Sequence, residues 1–509
     1  MAMKEQYLGR SAASHARRQL FWDMPPWEKE VSDRRPHYIY PDGDLIASLL
    51  QLYFTHLHPT IPVLHRPSFE WSVTEGLYLT DPEFGGLLLS VLAIASWYSD
   101  DPRVFVKDDD TSLSAGWKIQ MYFLLGLFGL GTSRPEISAV YMGLSISFLQ
   151  LRGEYRQKRE GKVRYEHELW RRVFWSCFLF DRMSCVFHGR PPGFDLDDDA
   201  VDLLLEVDDE YWDRGFVQPL GKPSTGSYLV HHAKLCKISG EAMRRLYVSK
   251  EMKIRLGWVA ADWEHDTVAE LDSAMKDFSD SIPAHLRWDP DGPTQGAFFN
   301  QSLTLHTSYH LIQIMIHRPY IHKMSALAAP SLSICTSSAR TILHAASVWL
   351  KNQQRQPLPT LLNPVFVAGT IVVLNMFGNK RAGLSVDMSK DLAHMETAME
   401  VTKSLESRFQ PAGRLWELLR ELQSLDPLPA SYPVDGDPTS VNAASTGQGL
   451  PATEPFRFPG LSDGGRSPDL KPGVSIEQLL ADTDPSRAMN GLFDDELMSM
   501  WMAAPANIA

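Results

Sequence analysis

The amino-acid sequence predicts an all-α fold, a large multi-helix domain followed by a disordered acidic C-terminal tail. Apolar residues recur with the 3.6-residue period of a helix along successive segments, and period-two alternation bounded by turns is scarce. Beyond Asp426, proline arrives repeatedly among Ser, Thr, Gly and Asp, with too little apolar material to offset the cost of ordering the backbone. A chain of 509 residues with 44% hydrophobic content supports a substantial core and exceeds what one core usually fills. Three regions follow: an N-terminal arm over 1–40, a helical domain over 41–425 and a tail over 426–509.

The helical rows run, in order, over 44–57, 84–98, 117–130, 136–152, 168–187, 227–248, 268–279, 301–317, 331–351, 364–376, 389–408 and 415–423. Proline and glycine punctuate them at Asp81-Pro82, Arg134-Pro135, Arg190-Pro191 and Asp289 to Pro293. His65-Arg66-Pro67 and His317-Arg318-Pro319 are each expected to end a run, because proline disfavours helical geometry in the residue before it. The run Asp108 to Ser112 reads as a solvated helix N-terminus, where acids suit the dipole. Lys158, Arg159, Lys162 and Arg164 form a small basic loop, read as solvated.

Residues 169–192, LWRRVFWSCFLFDRMSCVFHGRPP, are the most informative stretch. Apolar residues lie on every side of it, so this helix should be buried all round. Asp181 then lies near the core, where a carboxylate is costly unless a cation and hydrogen bonds meet it. Arg182, its sequence neighbour, points elsewhere on the helix, which leaves Arg190 beyond the Gly189 turn, or a distant Arg, as partner. The expected role is a structural ion pair, since no base or nucleophile accompanies the acid.

This segment resembles the signature of the fungal transcription factor regulatory domain, the middle homology region that follows a Zn2Cys6 DNA-binding cluster. Other blocks agree in type and order: YFTHLHPTIPVLHRPSF from Tyr53 to Phe69, the acidic FDLDDDAVD after the GRPP turn, IMIHRPYI from Ile314 to Ile321, and ESRFQPAGRLWELLREL from Glu406 to Leu422. The resemblance spans about Pro41 to Leu425 and marks Asp181, Arg182, Gly189, Arg190 and Pro191 as family signature. It implies a nuclear protein that regulates DNA-templated transcription by RNA polymerase II, not an enzyme, whose helical domain restrains or releases activation. It also implies coactivator partners, a possible homodimer, and promoter DNA reached through a zinc cluster.

That cluster is missing here. It needs six cysteines with two CxxC pairs to enclose two zinc ions in shared thiolates. The chain has four, Cys177, Cys185, Cys236 and Cys335, and no CxxC. No cofactor is therefore expected in this chain, and two of the cysteines lie in the signature helix, where a thiol acts as an apolar filler. A disulfide framework is not expected. Residues 1–425 carry 45 basic and 50 acidic side chains, leaving no bulk positive field for DNA. QYLGRSAAS near Met1 looks like the family's segment between linker and regulatory domain, so either the chain begins late or this member works as a co-regulator without its own DNA-binding module. No apolar run suits a secretory signal or an uninterrupted membrane span, and a soluble intracellular protein is expected.

Three other constellations compete. Asp198-Asp199-Ala200-Val201-Asp202 matches the DDxxD pattern by which all-α terpenoid synthases hold magnesium, oxygen ligands one helical turn apart sharing a hard cation. Acids crowd this stretch, so a chance match is the preferred explanation and the enzyme is the alternative. His306, His310 and His317 share a helix, and His56, His58 and His65 form a second loose group; structural roles are preferred to metal binding for both. The tail, with 12 acidic and 4 basic side chains, carries two amphipathic stretches, Val474 to Asp482 and Leu492 to Met502. Acidic-hydrophobic mixtures mark activation segments. As a helix on a coactivator, the second would present Leu492, Phe493, Leu497, Met498 and Trp501.

Overall fold

The computed structural model describes residues 38–424 apart from 106–117, 133–135, 157–162, 189–191, 195–200, 259, 261, 294–295, 322–324, 353–355 and 382–387. The described residues form fifteen α-helices and no strand: α1 Gly43–Leu52, α2 Arg66–Thr74, α3 Leu77–Thr80, α4 Pro82–Ala95, α5 Lys118–Leu130, α6 Glu136–Arg152, α7 Tyr165–His188, α8 Ser227–Leu246, α9 Lys250–Arg255, α10 Trp263–Ser281, α11 Ala297–His317, α12 Ala328–Lys351, α13 Leu362–Arg381, α14 Ser389–Leu405 and α15 Gln410–Ser424. Every helical row read from the sequence is present. Side-chain caps mark the starts of α2, α4 and α9. Asp81 accepts the backbone N–H groups of Glu83 and Phe84 at 2.9 and 3.3 Å, with Pro82 at the first position of α4. Ser249 caps α9 in the same way.

His65-Arg66-Pro67 corrects the expectation. Rather than ending a run it starts α2, because His65 is extended and its ring Nδ1 accepts the Ser68 N–H, while Pro67 needs no donor partner in the first turn. At His317-Arg318-Pro319 α11 does end, passing into a 3-10 turn at Arg318–Tyr320.

Two apolar cores fill the domain. The larger draws on α1, α4 to α8 and α11 to α15, with Phe123, Phe174, Trp175, Phe178, Trp349 and Phe366 among its fully enclosed side chains. The smaller lies between α8, α10 and α11, around Leu235, Leu246, Val268, Met275, Leu305 and Ile312. Helices α8 and α11 wall both: Leu229 and Leu303 face the larger core while Leu235 and Leu305 face the smaller. That is why α11 is buried on most sides, with Gln301, Ser302, Thr304, Thr307 and Ser308 enclosed beside its apolar residues.

One segment, Pro359–Asn379, has the length and mean hydropathy, 1.8, of a membrane span. It is instead a core helix: Val365, Phe366, Ala368 and Val372 are fully buried, and α11, α12, α14 and α15 pack around it. A Cβ on Gly369 would sit 3.1 Å from Ala398 Cβ and 3.2 Å from Leu419, so glycine is what lets α13 approach α14 and α15 so closely. The C-terminal helices close back on the N-terminal ones. Phe409 packs edge-on against Trp97 at 4.7 Å, Gln410 donates its N–H to the Gly131 carbonyl at 3.0 Å, and Arg408 pairs with Asp100.

Candidate regulatory site along α7

Helix α7 is buried along most of its length and carries five buried charged residues: Glu168, Arg171, Arg172, Asp181 and Arg182, none more than 8% exposed. Five buried charges are expensive unless each meets a partner. The partners come from the chain that follows. After α7 the backbone reverses and returns along the helix, so that Phe194 lies beside Asp181, Asp202 beside Trp175 and Arg171, Leu205 beside Glu168, and Asp209 beside Arg172.

At the first station, among the described residues, Asp181 is met mainly by backbone. The Gly193 N–H donates to both carboxylate oxygens at 3.0 Å, and the Phe194 N–H to Oδ2 at 3.4 Å. The sequence reading sent Arg182 elsewhere; in fact its long side chain curls back. Its Nη1 lies 3.5 Å from Asp181 Oδ2, Nη2 donates to the Phe194 carbonyl at 3.0 Å, and the guanidinium sits 4.7 Å from the Phe178 ring centroid. Helical spacing fixes where a Cβ points but not where a five-bond side chain ends. Arg190, named above as a partner, lies outside the described residues with Gly189 and Pro191. Cys177 and Cys236 lie near Asp181, and burial pushes both thiols up to about 12, which keeps them protonated and inert.

At the second station Glu168 accepts the Leu205 N–H and, through its other oxygen, Arg171 Nη1 at 3.2 Å. Arg171 Nη2 lies 3.6 Å from Asp202, whose carbonyl accepts the Trp175 indole N–H at 3.0 Å.

The third station joins the most distant parts of the sequence. Arg172 pairs with Asp209 Oδ1, donates to the Val207 carbonyl at 2.9 Å, and stacks 4.2 Å from the Trp212 ring centroid. Asp209 Oδ2 takes the Arg66 N–H at 2.8 Å and His58 Nε2 at 3.2 Å, while its carbonyl meets His65 Nε2 at 3.3 Å. The His65 ring lies 4.7 Å from Trp212, nearly parallel to it, and Tyr165 abuts both edge-on. Burial alone would raise the Asp209 carboxyl, but Arg172, then His58 and the Arg66 amide, outweigh it and hold the group well below the usual carboxylate range. Adjacent Asp208 accepts from the Thr225 N–H at 2.9 Å and from the Ser224 and Thr225 hydroxyls at 3.0 Å each, anchoring the turn into α8. The Asp208-Asp209 pair thus ties α2, α7 and α8 together.

Sequence reading left Asp209 among a crowd of acids and His58 and His65 in a loose group. The usable signal was that two of the resembling blocks, Tyr53 to Phe69 and the acidic run after the GRPP turn, flank the same helix. The other histidines disperse: His56 stacks on Tyr98, His306 packs against Trp288 and His310, and His317 bonds Asp272 at 3.0 Å and Ser331 at 3.2 Å. Among the described residues no group of three or more His, Cys, Asp or Glu side chains could hold a metal. Of the DDxxD stretch, Asp198 and Asp199 lie outside the described residues; Asp202 is turned toward Arg171, and 202–208 is not helical, so the helical-turn spacing that would let such acids share a cation does not apply there. Leu492, Phe493, Leu497, Met498 and Trp501 also lie outside the described residues.

Chemically, the seam is a brace. Carboxylates face guanidinium groups and backbone amides, and the returning segment is held to α7 by charge at three points. This defines an all-α domain braced internally by buried charge. Residues 50–277 match the family described as the fungal specific transcription factor domain. The chain is 25% identical over 327 residues to an ABC-transporter-regulating transcription factor of Aspergillus fumigatus, covering 60% of this chain and 36% of that protein. It is 22% identical over 390 residues to the nitrogen assimilation transcription factor nirA of Emericella nidulans, covering 70% and 42%, and 24% identical over 318 residues to cutinase transcription factor 1 alpha of Fusarium vanettenii, covering 58% and 33%. The chain therefore spans well under half the length of these relatives. No solved structure matches it.

Proposed function

We propose that this chain supplies the regulatory and activation parts of a fungal transcription factor that controls RNA polymerase II transcription in the nucleus. The observation that supports the reading is the family match over 50–277, which contains all of α7 and the segment clasped to it, together with relatives that are named transcription factors. Their names point to transporters, nitrogen assimilation and cutinase, so the family domain serves unlike pathways and carries no single target to this chain. In this reading the helical domain is regulatory and not catalytic, works without a cofactor of its own, and engages coactivators through the tail segment around Phe493, Leu497 and Trp501. Promoter DNA is reached through a zinc cluster that this chain does not carry, and homodimerisation is part of the same proposal.

The test is chromatin immunoprecipitation of the protein tagged at its own locus, paired with transcript profiling after deletion. Enrichment at discrete promoters whose transcripts change on deletion supports the proposal. A uniform chromatin profile with unchanged transcripts overturns it, and magnesium-dependent turnover of a prenyl diphosphate would favour the terpenoid-synthase alternative instead.

A further inference from the structure

Helix α10 stands on a core of its own. Its buried apolar residues, Val268, Leu271, Met275 and Phe278, form one narrow stripe at helical spacing, and ten of its 19 residues are exposed. The stripe faces α8 and α11 across the smaller core, where Leu235, Leu246, Leu305 and Ile312 receive it. None of the four belongs to the larger core. The polar ties of α10 to its neighbours lie at the rim. Arg245 of α8 donates to Glu270 at 2.7 Å and to Thr267 Oγ1 at 3.2 Å, and Asp272 meets His317 of α11 at 3.0 Å. The Glu270 and Asp272 side chains are 65% and 41% exposed, so water competes for both and such pairs hold weakly.

The ends of α10 are as lightly held. Asp262, at the N-cap, makes no side-chain cap bond and keeps helical rather than extended backbone angles. The preceding α9 leaves Met252, Ile254 and Leu256 exposed and so buries little that would fix the approach. At the other end the chain turns extended at Ile282 and Pro283. Firm points lie just outside both ends. Tyr247 donates its hydroxyl to the Met315 carbonyl at 2.6 Å and accepts from Arg318 at 2.7 Å, and Leu286 is fully enclosed.

The walls do not depend on α10. Helices α8 and α11 carry Leu229, Ala233, Leu303 and Ile314 into the larger core, which holds both in place when the stripe leaves. Helix α13 is the contrast: Val365, Phe366, Val372 and Val373 sit among four helices, so freeing it means taking the larger core apart. Segments with few buried apolar contacts and a largely exposed backbone open at lower cost than such a core.

We infer that α10 is a strap that opens and recloses while the larger core stays folded, uncovering the apolar faces of α8 and α11. The domain thereby has two folded states that differ in the position of one helix. The inference rests on the packing alone and not on the proposed role in transcription.

Hydrogen exchange of the full chain, followed by mass spectrometry over urea concentrations below the main unfolding transition and where reclosing outpaces exchange, tests it. Amides of α10 from Val268 to Phe278 should be about tenfold or more less protected than those of α12 from Ile342 to Trp349. Their exchange should also rise less steeply with urea, since freeing one helix exposes less surface than unfolding the domain. Val372→Ala then separates local from global opening. Val372 is wholly buried in the larger core, which the closed and strap-open states share, so its truncation weakens both equally against the unfolded chain. Exchange in α12 should rise about tenfold in this variant while exchange in α10 stays within about twofold of the parent. Equal protection and equal urea slopes for α10 and α12 overturn the inference, as does exchange in α10 that rises in step with α12. An α10 with no measurable protection overturns it too, because a strap must also close. If Val372→Ala fails to fold, the protection and urea slopes of the unmodified protein decide.

Discussion

The Gly193 backbone N–H lies 3.0 Å from both oxygens of the Asp181 carboxylate. A buried acid in mid-helix is thereby converted into the anchor for the chain reversal that follows α7, and a Cβ at position 193 would come within 3.3 Å of the same carboxylate. The acid, the reversal and the returning segment form one unit.

Removing that anchor should be costly. Asp181→Ala leaves Arg182 buried without its carboxylate and two backbone amides without an acceptor, and is expected to lose about 3 kcal/mol in urea denaturation. Asp181→Asn, which retains an acceptor, should lose less. A change within ordinary surface scatter for the Ala variant would mean that the acid does not organise the turn.

Asp209 should make the domain sensitive to acid. An unfolded Asp titrates near ~3.9, and the Arg172 guanidinium and His58 hold the folded group below that. Its contribution is therefore complete above about pH 4 and is lost as pH falls through the folded value. Asp209→Asn should be less stable than the parent at pH 6 and should lose less stability than the parent between about pH 4 and pH 3. Equal acid losses in the two proteins would contradict the arrangement.

Buried His232 and the half-buried His306 and His310 add a second, higher window. Burial pushes His306 down to about 3, as it does His232, and His310 down to about 4. Each is neutral in the folded state, so its proton is taken up preferentially by the unfolded chain below about pH 6.5. Stability is complete above that value and falls as pH drops toward the folded values, by up to ~1.4 kcal/mol per pH unit for each group. His306→Gln with His310→Gln should flatten the decline between pH 6 and 4.5; an unchanged slope would show that these rings charge freely in the fold.

Much of this was legible in the sequence, and the failures have physical causes. The long helices announce themselves because three or more turns of periodic burial leave a clear pattern. Arg66–Thr74, Leu77–Thr80 and Lys250–Arg255 were missed because they are short, and α3 and α9 bury little while α2 starts at a proline that otherwise reads as a stop. That Asp181 needs a partner follows from composition, but among the described residues it is met chiefly by the Gly193 and Phe194 backbone amides, which no side-chain pattern reveals. Asp209 was invisible for another reason: its partners His58, Arg66 and Arg172 are drawn from two separate segments that only the fold brings together.

The chain by itself should not select among duplex DNA sequences. It has a net charge of −13 and no cysteines in zinc-cluster spacing. A gel shift at physiological salt on the chain as given should show no sequence-selective complex. Selective binding would point to a DNA-reading element within it, with the loop from Lys158 to Arg164 the first to change.

The central claim is that this chain regulates transcription, and tethering tests it most directly. The full chain, and separately Asp426 to Ala509, fused to an unrelated DNA-binding module should change the output of a reporter bearing that module's site. The tail fusion should activate, and should lose its output when Phe493, Leu497 and Trp501 become Ala. Two stably expressed nuclear fusions that leave the reporter at its untethered level would contradict the claim.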